Sequence, residues 1–306
     1  MKKNLIILIG LSLFIFFAIS MSSTPDIPIE DLIEKYGNDE SEFIEVDGLN
    51  IHYRDEGAGM PILLIHGTAA SLHTWDDWAQ SLKKDYRVIR LDIPGFGLTG
   101  PHPEHDYSIP AYSQLIEIFV EKIGLDSLYV AGNSLGGNIA WYFTAQNPDL
   151  VKRLILVDAS GYPVESIPLI FKMGRTPVLN KLLTMITPRS FIAKNLREVY
   201  HDDNKISDEL IDRYYKMALR EGNREALVKR MQNDLVDFTD LIATINVPTL
   251  IVWGRHDKWV PVSNAFRFQE DIPNSELVIL EESGHVPMEE NPAETLAEVK
   301  RFLNDD

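Results

Sequence analysis

The chain contains no cysteine. Disulfides, thiolate nucleophiles and zinc sites built on sulfur are therefore excluded at once. Basic residues are scarce: 29 Lys and Arg stand against 46 Asp and Glu, a formal net charge of -17. Nucleic-acid binding places Lys and Arg on phosphates, so a deficit of this size argues against a nucleic-acid partner. Its ordinary consequence is a well-solvated surface. Internal repeats and low-complexity tracts are lacking, and long apolar runs are lacking with one exception. Behind Lys2 and Lys3 the chain is apolar from Leu5 to Ile19, broken only by Gly10 and Ser12. A basic head followed by such a stretch is the pattern of an export segment. Ala18 and Ser20 form a weak cleavage site before Met21, while the run approaches the roughly 17 to 25 residues that a membrane anchor needs. Residues 1–21 are thus expected to be a signal peptide or a membrane anchor. The protein is expected to be exported: periplasmic, secreted, or anchored outside the cytoplasm with membrane association through this segment.

What is present from residue 41 onward is a strand-helix alternation. Residues 22–40 are polar with Pro25 and Pro28 and read as a linker. Phe43 to Val46 and Ile51 to Arg54 flank Asp47-Gly48, a hairpin turn signal. Short apolar runs follow at Pro61 to Ile65, Arg87 to Leu91, Leu128 to Ala131, Leu154 to Val157, Thr249 to Trp253 and Leu277 to Leu280. Continuous apolar strands belong to parallel sheets covered on both faces. Helical spacing fills the gaps at Tyr112 to Ile123, Leu135 to Gln146, Ser263 to Glu270 and Ala293 to Leu303. The class is α/β, with eight strands, mostly parallel. Between Asp158 and Val247 no buried strand is evident. Helical spacing there (Leu169, Ile170 and Met173; Leu182, Leu183 and Ile186; Leu210, Tyr214 and Met217) predicts a helical lid over residues 161–244, inserted between strands 6 and 7. The core would then comprise residues 41–160 and 245–306.

The sharpest chemical signal is Gly132-Asn133-Ser134-Leu135-Gly136-Gly137, directly after a strand and directly before a helix. Such a strand-turn-helix holds a serine in a strained turn with its hydroxyl projecting from the sheet, and the flanking glycines avoid a collision. A serine needs a base. His285, in a turn after the last strand, is placed where parallel sheets present functional groups. His52 lies inside a hairpin strand; His102, His105 and His201 fall in polar loops; His73 and His256 read as hydrogen-bonded support. The base needs an acid. Asp257, at the carboxyl end of its strand, follows the serine and precedes the histidine; Asp158, ending another strand, is its rival. His66-Gly67-Thr68 follows a strand and turns sharply. The backbone N–H groups of Thr68 and Leu135 are the candidate oxyanion donors, and His66 reads as a brace for that loop. Trp75 and Trp78 could line a pocket, though packing is the plainer role.

From residue 41 to 306 these pieces resemble the α/β-hydrolase superfamily, and Leu91-Asp92-Ile93-Pro94-Gly95-Phe96-Gly97 is similar to a further loop of that fold. The Gly-Asn-Ser-Leu-Gly-Gly turn and the His-Gly loop resemble those of bacterial family V serine esterases and lipases. A similar turn occurs in carbon–carbon hydrolases of aromatic ring-fission products, which usually carry more glycine after the His-Gly pair than Thr68-Ala69-Ala70. Haloalkane dehalogenases and epoxide hydrolases are similar overall but use an aspartate where this chain has Ser134. The resemblance implies a serine carboxylic-ester hydrolase acting through an acyl-enzyme on a small, apolar acyl substrate, with no metal or cofactor. The alternatives it leaves open are carbon–carbon hydrolysis by the same residues and a non-catalytic ligand-binding homologue. Met173, Leu182 and Tyr214 of the lid are expected to shape the acyl pocket.

Overall fold

The computed structural model describes residues 23–163, 169–233 and 236–304. The expected export segment, residues 1–21, lies outside them. Among the described residues no helix is long and apolar enough to cross a membrane.

The strands are β1 (Ser41–Val46), β2 (Leu49–Gly57), β3 (Pro61–Ile65), β4 (Arg87–Leu91), β5 (Leu128–Asn133), β6 (Val151–Val157), β7 (Thr249–Gly254) and β8 (Ser275–Leu280). They form one eight-stranded sheet in the order β1-β2-β4-β3-β5-β6-β7-β8. β1 and β2 are joined through Asp47 and Gly48, whose φ values of 50° and 78° are the paired positive angles of a primed two-residue turn. β2 also pairs antiparallel with β4, and all remaining pairings are parallel.

Helix α1 (Ile29–Tyr36) precedes the sheet. α2 (Asp76–Leu82), α3 (Ile109–Lys122) and α4 (Leu135–Gln146) connect its first strands. Five helices then lie between β6 and β7: α5 (Leu169–Arg175), α6 (Leu179–Met185), α7 (Arg189–Val199), α8 (Asp208–Ala218) and α9 (Asn223–Gln232). α10 (Ser263–Asp271), α11 (Pro287–Glu290) and α12 (Pro292–Asn304) complete the chain.

Alternate residues of each strand serve opposite faces, so a strand buried on both sides must be apolar throughout. In β3, Leu63 and Ile65 join one core with Ile116, Phe119 and Ile139 of α3 and α4. Ile62 and Leu64 join the other with Trp78, Leu82 and Phe302 of α2 and α12. Burying one such side chain is worth roughly 1.5–3 kcal/mol. Trp75 and Trp78 are both fully buried in this second core, and Trp78 Nε1 donates to Thr295 Oγ1 at 2.9 Å. They pack, as the plainer expectation had it.

The stretch expected to be a linker is attached. Thr24 N–H donates to Met185 O at 2.8 Å, Ile27 forms a parallel bridge with Arg220, and Asp26 pairs with Arg224 at 2.6 Å. Leu32, on the apolar face of α1, is buried beside Leu98 and Met217. Its polar composition reflects one solvated side, while Ile27 and Leu32 anchor the other.

Candidate active site

β5 ends in the turn that carries Ser134, at φ 55° and ψ -117°. A non-glycine residue with positive φ is strained and persists only when its surroundings hold it. Here they do: Ser134 N–H donates to Val157 O at 3.1 Å, and Ser134 O accepts from Ser160 N–H at 3.0 Å. Gly132 is required, because a Cβ there would lie 2.1 Å from the Gly136 carbonyl oxygen. Leu135 is the first residue of α4, so its N–H is one of the donors a helix start leaves free.

The loop after β3 is braced by His66. The buried ring accepts from Ile93 N–H through Nε2 at 3.1 Å and donates from Nδ1 to Gly67 O at 2.7 Å. Burial lowers its pKa, and the neutral ring this favours has the lone pair that Ile93 needs. A Cβ on Gly67 would lie 3.0 Å from Ser134 Cβ, so the loop presses directly on the nucleophile turn. Thr68 and Ala69 follow it into the cavity wall.

His285 Nδ1 lies 2.7 Å from Asp257 Oδ2. The Asp257 side chain is shielded from solvent, and its Oδ1 accepts from Trp259 N–H at 2.7 Å and Val260 N–H at 2.9 Å. These bonds fix the carboxylate so that only Oδ2 turns to the imidazole. The ring is held from both sides of its backbone: His285 N–H donates to Val199 O at 2.6 Å, and His285 O accepts from Asn133 Nδ2 at 3.0 Å. Asn133 thereby ties the histidine loop to the residue next to Ser134.

Asp158 also reaches this place. One ligand atom each from Asp158, Asp257 and His285 lies within 4.8 Å of the others, close enough in principle to hold a cation. The chemistry argues otherwise. Burial first, and then the neighbouring Asp257 charge, push the Asp158 carboxyl well above the usual carboxylate range, which disfavours the charged form that a cation would need. Its Oδ1 accepts from Gly254 N–H at 3.0 Å, and its Oδ2 has no partner. His285 Nδ1 is thus bonded to Asp257 and not to the rival acid.

Ser134, His285, Thr68 and Leu135 all line one cavity of about 680 Å³, within the roughly 300–1,000 Å³ typical of small-molecule sites. Met173, Leu182 and Tyr214 line it from the helical insertion, joined by Phe191 and Leu227. Among the described residues Ser134 makes no hydrogen bond to His285, whose bonded ring nitrogen is Nδ1, although both line the same cavity. The remaining histidines lie elsewhere. His73 bonds Tyr36 O at 2.9 Å, and burial pushes it down to about 4. His201, expected in open solvent, stacks on His256 with ring centroids 3.9 Å apart.

Three further residues around the site carry no mark of their place in the sequence. Asn133 stands there only as a member of the Ser134 turn, yet its Nδ2 donates to Val157 O at 3.1 Å and to His285 O at 3.0 Å. Trp259 lines the cavity with its ring nearly parallel to His285, centroids 6.1 Å apart. Glu290 is a buried carboxylate that accepts three backbone N–H groups: Gly284 at 2.7 Å, His201 at 2.9 Å and Asp202 at 2.8 Å.

With this geometry in place, comparison with known proteins is informative. A 2-hydroxy-6-oxo-6-(2'-aminophenyl)hexa-2,4-dienoic acid hydrolase of Metapseudomonas resinovorans is 30% identical over 271 residues, 86% of this chain and 90% of that protein. Among solved structures, a membrane phospholipase A described as a bacterial virulence factor superposes with a TM-score of 0.76 at 26% identity, covering 99% of this chain and 98% of that one. A meta-cleavage product hydrolase from Pseudomonas fluorescens IP01 superposes with a TM-score of 0.77 at 26% identity, over 87% and 99% of the two chains. The family model described as alpha/beta hydrolase fold matches residues 60–292, and the chain belongs to that family of hydrolases.

Proposed function

We propose that this hydrolase cleaves carboxylic esters through an acyl-enzyme on Ser134. The observation that carries the reading is a strained serine opening on an apolar cavity that it shares with an imidazole already bonded to a buried carboxylate. Ser134 Oγ attacks the ester carbonyl while its proton passes to His285 Nε2. Asp257 holds the ring in the right tautomer and stabilises the imidazolium. The Thr68 and Leu135 N–H groups receive the developing oxyanion, each such donor being worth about 2.7–4 kcal/mol in transition-state stabilisation. The tetrahedral adduct collapses, the C–O bond breaks, and His285 protonates the leaving alcohol. Water, deprotonated by the same ring, then releases the acid and restores Ser134.

Ser134→Ala is expected to lower kcat on p-nitrophenyl butyrate by about 10⁶-fold, with the melting temperature unchanged. Undiminished turnover by that variant refutes the assignment. Carbon–carbon hydrolysis is the second reading, favoured by the relative that acts on a hexa-2,4-dienoic acid. The same serine, base and oxyanion donors serve both reactions, so esters and ring-fission products assayed side by side decide between them. A non-catalytic homologue would leave a fluorophosphonate probe unreacted. Export is part of the proposal and rests on the Lys2-Lys3 head and the Leu5–Ile19 run. Fractionation that finds the full chain in the cytoplasm alone would remove it.

A further inference from the structure

Arg230, on α9, carries a guanidinium that no carboxylate among the described residues answers. It lines the same cavity as Ser134, and its Nε is closed off from solvent with no hydrogen-bond partner. Arg175, from α5, is near enough to act on it as a like charge. That second guanidinium is tied to backbone carbonyls, Met231 O at 2.6 Å and Asn233 O at 3.3 Å, and not to an acid. Among the described residues the cavity wall holds one acid, Asp237, which accepts from Thr239 N–H at 2.9 Å and whose cationic neighbour is Arg267. Arg224, on the same helix and in the same wall, differs in charge pairing: its Nη2 meets Asp26 at 2.6 Å, although its Nε and Nη1 are also buried without a hydrogen-bond partner.

The contrast is informative in a chain with 46 carboxylate side chains. Arginine does not shed its proton to escape a poor environment. A cation left without an anion in a largely apolar wall is unfavourable, and two adjacent cations are more so. A guanidinium fork matches the paired oxygens of a phosphate or a carboxylate. We propose that Arg230, with Arg175 beside it, is an anion-binding subsite of this cavity, and that the natural substrate is an ester bearing a phosphate or carboxylate beyond its apolar portion. This rests on the ester-hydrolase reading and narrows its substrate class to anionic amphiphiles.

The test uses the full-length protein and p-nitrophenyl butyrate turnover, with octyl phosphate, octanoate and octanol as competing ligands. In the wild type the anions are expected to inhibit at concentrations at least about tenfold below octanol, the scale of one charge-assisted hydrogen bond. Stronger inhibition by octyl phosphate identifies a phosphate-bearing substrate, and stronger inhibition by octanoate a carboxylate-bearing one. Equal inhibition by all three overturns the subsite. In Arg230→Gln the preference for anion over octanol should collapse by about 10- to 100-fold. Arg230→Lys should retain part of it, because an ammonium keeps the charge but loses the fork. A folded Arg230→Gln that keeps the full preference also overturns it. If Ser134→Ala were to remain active, the ester reading would fall alone, since calorimetric titration of octyl phosphate into that variant still reports the anion site.

Discussion

Two serine-histidine-aspartate constellations stand among the described residues. In the first, His285 Nδ1 is 2.7 Å from Asp257 Oδ2; in the second, His52 Nδ1 is 2.7 Å from Asp92 Oδ2, and His52 Nε2 is 3.1 Å from Ser41 Oγ. By side-chain distances alone the second is the more complete relay. Everything around it differs. Ser41 opens β1 in ordinary extended backbone, and its hydroxyl is occupied by Asn38 Oδ1, Asn38 N–H and Arg54 Nε, each at 3.2 Å. Asp92 is spent on loop construction, accepting from Leu72 N–H at 2.7 Å and Leu98 N–H at 2.8 Å. Burial alone would raise its pKa, but the His52 hydrogen bond and charge hold the carboxyl well below the usual range. A relay becomes reactive when its serine is strained, its far end opens on a cavity, and amide donors wait beside it. The Ser41 set has none of these and serves as a buried staple between β1, β2 and the loop after β4.

Conservative changes at the two acids separate these roles most sharply. Asp257→Asn should lower kcat by about 10⁴-fold through the wrong histidine tautomer, with little change in melting temperature. Asp92→Asn should do the reverse. Breaking a buried ion pair costs about 3–5 kcal/mol, while activity per folded molecule, counted by active-site titration, stays near wild type. If Asp92→Asn proves stable and inactive, the second constellation is catalytic after all.

Glu290 sharpens the comparison one step further out. Its carboxylate joins Gly284, beside His285, to His201 and Asp202 at the end of the α7 segment. Glu289 next to it accepts from Tyr214 OH at 2.8 Å and pairs with Arg213 on α8. These contacts tie the insertion to the histidine loop. Glu290→Gln, which loses the charge and half of the acceptor capacity, is expected to lower kcat by about 10- to 100-fold, as the imidazole loses its register. KM for p-nitrophenyl butyrate should change less. An effect on melting temperature with kcat intact would make Glu290 a plain structural acid.

How much of this could be read from the chain follows from the range of each interaction. The Ser134 turn was legible because its glycines and its strand-helix context are neighbours in sequence. Asp257 and His285 were legible because strand ends of a parallel sheet converge on one edge, so order along the chain and place after a strand suffice. The strands emerged for a similar reason: β3 to β8 carry short apolar runs, and β1 and β2 flank the Asp47-Gly48 turn. Asn133, Glu290 and the docking of residues 24–36 were not legible. Their meaning lies in partners far away: Asn133 Nδ2 reaches the His285 carbonyl across 152 positions, and Arg224 reaches Asp26 across 198. No local pattern marks such a donor. Arg230 was hidden for the opposite reason, because what distinguishes it is a partner that the fold does not supply.

Ser41→Ala gives a smaller effect. It removes one hydroxyl from a half-buried network, so a loss of about 1–2 kcal/mol in stability is expected, with kcat within about twofold of wild type. Chemical denaturation and ester turnover check both halves, and a large fall in kcat would restore Ser41 as a rival nucleophile.

Asp158→Asn should change turnover least and is read through pH. The folded pKa of Asp158 lies above its unfolded value of about 3.9. Such a group contributes stability fully below the unfolded value and loses it as pH rises through the folded one, because only the unfolded chain ionises freely. Asparagine has no proton to lose. The wild type should therefore fall progressively below Asp158→Asn in melting temperature as pH rises above about 4, while kcat at pH 7 stays within about threefold, since the His285 ring is bonded to Asp257 and not to Asp158. Parallel melting curves across that range would show that Asp158 is ionised in the fold. A loss of turnover as deep as that of Asp257→Asn would make the two acids a shared pair behind the imidazole.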